Sequence, residues 1–355
     1  MGSSPSAWPM ASNSGQPWWT WPDALRHRDA QALAAARAQH AGECGFWQFV
    51  QWEFDRQCVA LKAYANGRGV HLLGDLPIFV AHHSADCWAR PDLYTLDDDG
   101  QPTVVAGVPP DQLGPLGQRW GNPLYRWDAM AEDGYRWWKD RLSHLLTLVD
   151  LVRLDHFRGF DAGWAIPAEE PTAVGGQWRA GPSHSFFAAL ARALGPIPLV
   201  AEDLGIITDS VRQLRLDCGF PGLRVLQFAF DGKSDNPYLP HNFVPQTVAY
   251  TGTHDNTTTL DWWRQASESE RDAIRHYLGP QADQEIHWAM MQSLSQSVAR
   301  TLVIPFQDVL GLDGQHRMNT PGVAQGCWTW RFEWSQVDDT PSARLRAMVR
   351  AHGRI

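Results

Sequence analysis

Four short apolar runs in this sequence end on or just before an acidic residue. Asp75 closes HLLGD, Asp155 closes LVRLD, Glu202 closes LVAE, and Asp255 follows VAYTGTH. An ionised group taken out of water costs roughly several kcal/mol unless it is paired or used. Acids placed repeatedly at strand ends therefore ask for a chemical reason. Side chains alternate along a strand, so Leu151, Arg153 and Asp155 share one face while Val152 and Leu154 share the other. A permanent cation beside Asp155 favours the ionised carboxylate, which suits a nucleophile or a charge stabiliser. In LVAED the same alternation turns Glu202 and Val200 to one side and Ala201 to the other. Two carboxyl groups of this kind suit glycoside chemistry, where one attacks or stabilises the anomeric carbon and the other protonates the leaving oxygen. They also suit magnesium or calcium.

The elements that must position these acids alternate along the chain. Helical patterns cover Arg28 to His40 and Phe46 to Asn66, the second stopped by Gly67-Arg68-Gly69. Residues 77–128 are rich in Pro, Gly and Asp with little periodicity, which predicts a functional loop insertion. Beyond it, helices over 135–148, about 184–194 and from Thr208-Asp209 precede strands at 151, 199 and 223. A strand at 248 follows, then helices through Tyr277 and over 284–299, a strand at 302 and a closing helix from Ser342. Apolar residues from Leu142 to Leu154 would also fit one long helix. Strand–helix repetition predicts an α/β fold with a parallel sheet and helices outside. With the run at 70 the strands number six, against the eight of a closed (β/α)8 barrel.

Composition narrows the function classes. The 355 residues are 44% hydrophobic and 19% charged, a globular balance able to bury a large core. The formal charge of −9 argues against a nucleic-acid partner. Five cysteines with no C-x-x-C pair read as reduced thiols, not as disulfides or a zinc site. No apolar run spans a bilayer and the start has no apolar signal core, so the sequence predicts a cytoplasmic protein without a membrane partner. Residues 1–20 read as a disordered leader. Nineteen Trp is several times the usual load, enough both for core filling and for stacking on sugar faces.

Longer runs carry a family resemblance. GDLPIFVAHHSADCWARPDLY, TVVAGVPPDQLGPLGQRWGNPLYRWDAM, LVRLDHFRGF, LVAEDLGIIT, FPGLRVLQFAF, NPYLPHNF, YTGTHDNTTTLDWW and MNTPG stand in order from about Trp18 to the C-terminus. The sequence resembles the 4-alpha-glucanotransferases of the amylomaltase (disproportionating enzyme) type, glycoside hydrolase family 77. The resemblance implies a (β/α)8 TIM-barrel type in which strands three to eight are present and the first two are missing. It makes 21–355 the catalytic barrel domain, 21–66 the remnant of a helical insertion, and 77–128 an insertion over the substrate groove.

The resemblance also implies roles. Asp155 of RLDHFRG would be the nucleophile, Glu202 of AEDLG the general acid/base, and Asp255 of THDN the third carboxylate, gripping sugar hydroxyls. Arg153 would orient Asp155, His254 would bind the same sugar, and Asp75 would line the pocket. Asp111 and Trp120 would be contacts of a mobile loop over the acceptor groove, with Asn319 opposite. Donors and acceptors would be α-1,4-glucans and maltooligosaccharides, and no metal or organic cofactor is implied. Plainer readings stand beside these: His254 as a core histidine, Trp120 as a loop anchor, Asp111 as a turn cap, and the pair His82-His83 as loop surface. Thr320 stands where the family usually has Tyr, which bears on one acceptor contact. Two alternatives remain open at this point: an inactive fragment that at most binds α-glucan, and an α-amylase-like hydrolase.

Overall fold

The computed structural model describes residues 15–111, 114–323, 325–337 and 339–354. Contacts divide the chain into two compact units, one reaching Gly219 and one beginning at Phe220.

The first unit holds strands β1 (Leu73–Leu76), β2 (Val104–Val108), β3 (Gln118–Pro123), β4 (Leu151–Leu154), β5 (Ala162–Pro167), β6 (Gln177–Ala180) and β7 (Leu199–Ala201). Three of them run parallel in the order β1-β4-β7, with Asp75 paired to Arg153 and Arg153 to Val200. The helix Arg136–Leu148 leads into β4, and Val149 breaks it by turning extended. That break settles the ambiguity around Leu142 to Leu154 in favour of helix then strand. Val152 and Leu154 are fully buried, so β4 has one dry face and one face left for Arg153.

The other four strands form an antiparallel sheet in the order β3-β2-β5-β6. This corrects the expectation for 77–128, which supplies two of its strands. The period was hidden for physical reasons: β2 is apolar and buried over Val104–Gly107, and β3 contains a Gly and a Pro. A β-bulge between Val105 and Gly107 brings the backbones so close that a Cβ on Gly107 would meet the Gln118 carbonyl oxygen at 2.1 Å.

The predicted leader is also shorter at its described end. Residues 1–14 lie outside the described residues, but Trp18–Thr20 form a 3-10 turn. Trp18 is buried and its Nε1 donates to the His82 carbonyl at 2.7 Å, while Trp19 stacks on the His82 ring at 3.8 Å. His82 is thus a half-buried loop ring whose Nε2 lies 2.7 Å from the Gly100 carbonyl oxygen. The helices over 21–66 are present as Asp23–Arg26, Ala30–Gln39 and Ala41–Asn66. The longest has apolar residues on every side, and Phe46, Phe49, Trp52, Phe54 and Tyr64 are exposed. Its C-terminal end is fastened by Lys62, which donates to the carbonyls of Leu146 and Val149, each at 2.8 Å.

The second unit contains β8 (Gly222–Val225), β9 (Thr247–Tyr250) and β10 (Thr301–Val303), parallel in the order β8-β9-β10. Helices Thr259–Gln265, Glu268–Leu278 and Ala282–Gln296 lie between β9 and β10 in sequence. Leu226, Ala249, Trp263, Ile274, Ile286, Met290 and Leu294 form its core. Each predicted strand position therefore carries a parallel strand, three in each unit, and the chain is a mixed α/β protein of the incomplete (β/α)-barrel type. Among the described residues no helix is long and apolar enough to cross a membrane.

Candidate active site

In the first unit the backbone pairing continues past the strand ends. The Asp155 N–H donates to the Leu76 carbonyl at 3.0 Å, and the Glu202 N–H to that of Leu154 at 3.1 Å. Both acids are thereby set on rigid extensions of β4 and β7, not on free loops. Arg153, its side chain only 8% exposed, places Nη1 2.7 Å from Asp75 and 2.8 Å from Asp155. The sequence foresaw the Asp155 contact from alternation; the β1–β4 register adds the second. One guanidinium thus stands between two carboxylates where a divalent cation would otherwise bridge them, which disfavours the cation reading there. Burial opposes the Arg153 charge, yet Asp155, Asp75 and Glu202 together hold its pKa above the ordinary value.

Glu202 is a different kind of acid. It is 9% exposed, whereas the Asp155 side chain is 37% exposed. Burial, followed by the nearby charge of Asp155, pushes the Glu202 pKa up to about 7 against the opposing pull of Arg153. Its Oε2 accepts the His156 N–H at 2.8 Å and its Oε1 the Leu204 N–H at 2.9 Å. The first of these bonds comes from a residue in the left-handed region, His156 with φ 49°, which turns the chain just after Asp155. The neighbouring acid, Asp203, points elsewhere and forms a buried pair with Arg215 at 3.1 Å.

Two further predicted residues lie in this unit. Trp120, on β3, packs edge-on against the His156 ring at 4.8 Å and leaves part of its surface exposed. Burial, with Arg158 adding to it, drives the His156 pKa down to about 3. Asp111 closes a turn: its Oδ1 accepts the Gly114 N–H at 2.7 Å, as its plainer reading expected. The second arginine of LVRLDHFRGF, Arg158, is buried, donates to the Ile206 carbonyl and lies 3.8 Å from the Trp178 ring centre. It anchors the turn Phe157–Phe160 and stands apart from the acids.

The second unit brings His254, Asp255 and Asn319 together. Asn319 Nδ2 donates to Asp255 Oδ1 at 2.6 Å, and the Asn319 N–H donates to the His254 carbonyl at 3.1 Å. His254 Nε2 lies 3.4 Å from Asp255 Oδ2. Arg317 donates to the Asp255 carbonyl at 2.9 Å and to the Asn319 carbonyl at 2.7 Å. The Trp328 ring sits 4.9 Å from the His254 ring. Sequence reasoning did not single out Arg317 or Trp328; the MNTPG run beside Arg317 was the only signal available.

A partly exposed carboxylate held by an arginine, with a buried acid of near-neutral pKa beside it, is a pair suited to retaining glycosyl transfer or hydrolysis at the ends of parallel strands. The family profile of 4-alpha-glucanotransferases, glycoside hydrolase family 77, matches residues 9–337. The 4-alpha-glucanotransferase of Thermus thermophilus is 48% identical over 351 residues, covering 97% of this chain and 70% of that protein. The chloroplastic/amyloplastic 4-alpha-glucanotransferase of Oryza sativa subsp. japonica is 44% identical over 342 residues, covering 95% and 57%. The structure of an amylomaltase from Streptococcus agalactiae in complex with acarbose superposes with a TM-score of 0.94 at 32% identity, covering 97% of this chain and 70% of that one. The chain belongs to the glycoside hydrolase family 77 4-alpha-glucanotransferases. It spans 57% to 70% of the length of these relatives.

Proposed function

We propose that the chain is a 4-alpha-glucanotransferase that moves α-1,4-glucan segments between maltooligosaccharides by a retaining double displacement. The observation that carries the mechanism is the split between Asp155, partly exposed and paired with Arg153, and buried Glu202 with its pKa near 7. Protonated Glu202 gives its proton to the glycosidic oxygen while Asp155 attacks the anomeric carbon. The C–O bond breaks, the reducing-end glucan leaves, and a glycosyl ester forms on Asp155. The 4-hydroxyl of an acceptor sugar then attacks the same carbon, Glu202 takes its proton, and the ester breaks. Two inversions leave the α configuration unchanged.

The remaining residues bind and orient. Arg153 orients Asp155, and Asp75 lines the donor pocket. Asp255, His254 and Asn319 hold sugar hydroxyls. Trp120, on β3, offers an aromatic face to the acceptor, with Asp111 on the stretch between β2 and β3, and transfer prevails over hydrolysis when that acceptor excludes water. The described cysteines are all free thiols, which fits a cytoplasmic setting.

Incubating the purified chain with maltotriose tests the reading. The expected result is glucose together with a ladder of longer maltooligosaccharides. Glucose and maltose without lengthening would mean a hydrolase. Absence of products, with acarbose still binding by calorimetry, would leave a glucan-binding protein.

A further inference from the structure

Asp308 lies outside every motif quoted above, yet it is 1% exposed within the short helix Phe306–Val309. A carboxylate buried that deeply must have its oxygens occupied by donors. Its Oδ2 accepts from Thr251 Oγ1 at 2.6 Å and from Thr259 Oγ1 at 2.7 Å, and its Oδ1 accepts the Thr259 N–H at 2.8 Å. Thr251 is the first residue after β9, and Thr259 is the first of the helix Thr259–Gln265. Both are fully buried. The seven residues between them, 252–258, include His254 and Asp255.

One carboxylate thus closes both ends of the loop that carries the substrate-holding acid. Within the loop, Asn256 Oδ1 accepts the Thr253 N–H and hydroxyl, each at 2.9 Å, and Gln227 donates to the Thr257 carbonyl at 3.1 Å. The helix Thr259–Gln265 already has a capping side chain in Thr258, which accepts the Asp261 N–H. A helix cap alone therefore leaves the bond from Thr251 unexplained. That bond ties the far end of the loop and touches no helix terminus.

We infer that Asp308 is a positioning residue for Asp255, acting by fixing the separation of Thr251 and Thr259. The inference rests on the reading of Asp255 as a substrate-holding carboxylate. Thr251→Val keeps the side-chain shape and removes only the donor at the start of the loop, and Thr251→Ser restores the hydroxyl. Hydrogen exchange of 252–258 and maltotriose kinetics are read together, well below the unfolding temperature of each variant. Thr251→Val is expected to speed exchange of 252–258 and to lower kcat on the order of tenfold with KM within about twofold, less than the ~10²-fold that a 1 Å misplacement can cost. Thr251→Ser is expected to restore both. Faster exchange with unchanged kcat would overturn the positioning role, as would unchanged exchange in Thr251→Val. A loss that Thr251→Ser fails to rescue would overturn it as well. If the parent chain shows no transfer at all, the activity reading fails by itself, and exchange of 252–258 together with acarbose affinity still decides the positioning role.

Discussion

The two units hold their acids by opposite means. In the first, charge and burial hold them: Arg153 is shared between Asp75 and Asp155, and Glu202 sits in a dry site that raises its pKa to about 7. In the second, Asp255 is held by Asn319 and through its carbonyl by Arg317, on a loop whose ends meet at Asp308. The difference follows from the tasks proposed for them. A nucleophile and an acid/base must differ in proton affinity, whereas a group that grips hydroxyls needs only to stay in place.

The largest effects should come from breaking the tuned pair. Asp155→Asn removes the oxygen proposed to attack and is expected to cost about 10⁴-fold or more in kcat, the scale of losing a covalent nucleophile. Glu202→Gln is expected to cost about 10²–10⁴-fold, the share of a general acid. Initial rates on maltotriose measure both. If Asn319→Ala, which strips the support from Asp255, costs as much as either, the contrast between the two means of holding is wrong.

The same contrast appears as pH dependence. Glu202 is uncharged below about 7, so kcat/KM for the first step is expected to fall tenfold per pH unit above it. Its folded pKa is raised above the ordinary value of 4.5, so the fold binds the extra proton between these values. The stability this supplies is fully present below 4.5 and is lost as pH rises through about 7, on the order of 3 kcal/mol. Urea unfolding at pH 5 and pH 8 should show that difference in the parent chain, and Glu202→Gln should flatten it. An unchanged slope in the variant would remove Glu202 as its source.

Next in size is the hold on Asp255. Asn319→Ala removes a hydrogen bond to a charged group that is 42% exposed, and solvent replaces part of it, so about a fivefold loss in kcat/KM is expected. Asn319→Asp places a second carboxylate at the same point and should be worse than Ala above pH 5, since like charges repel. If Asp proves milder than Ala, neutral support is not what that position needs.

Much of the first unit's site was legible because local chemistry and alternation agree. Arg153 and Asp155 lie two apart on one strand, and LVAED turns Glu202 and Asp203 to opposite partners. The Asp75 contact was half legible: its strand end was clear, but its partner depended on the β1–β4 register, which no single run encodes. The four-stranded sheet was missed because a strand buried along its length and another broken by Gly and Pro show no alternation. Asp308 was illegible for a deeper reason. Its partners are 57 and 49 residues away, and a lone acid in PFQDV has no spacing that distinguishes a buried staple from a helix cap.

The smallest effects should come from a feature the two units share, a histidine against a tryptophan. His156 meets Trp120 at 4.8 Å and His254 meets Trp328 at 4.9 Å. The first ring is half-buried and uncharged above about pH 3, so Trp120 contributes aromatic contact and nothing electrostatic to it. Such edge contacts are worth about 0.5–1.5 kcal/mol, which puts the direct effect of Trp120→Ala at roughly two- to tenfold. That effect should fall on the acceptor: a higher KM for acceptor glucan and more glucose released without lengthening, with the pH limb near 7 unmoved. Trp328→Ala should leave the transfer-to-hydrolysis ratio alone and raise KM on the scale of the same contact. Product analysis by chromatography across acceptor concentrations separates them. If Trp120→Ala shifts the pH limb instead, its ring is part of the dry wall around Glu202, and the division between tuning and holding runs through β3 as well as between the two units.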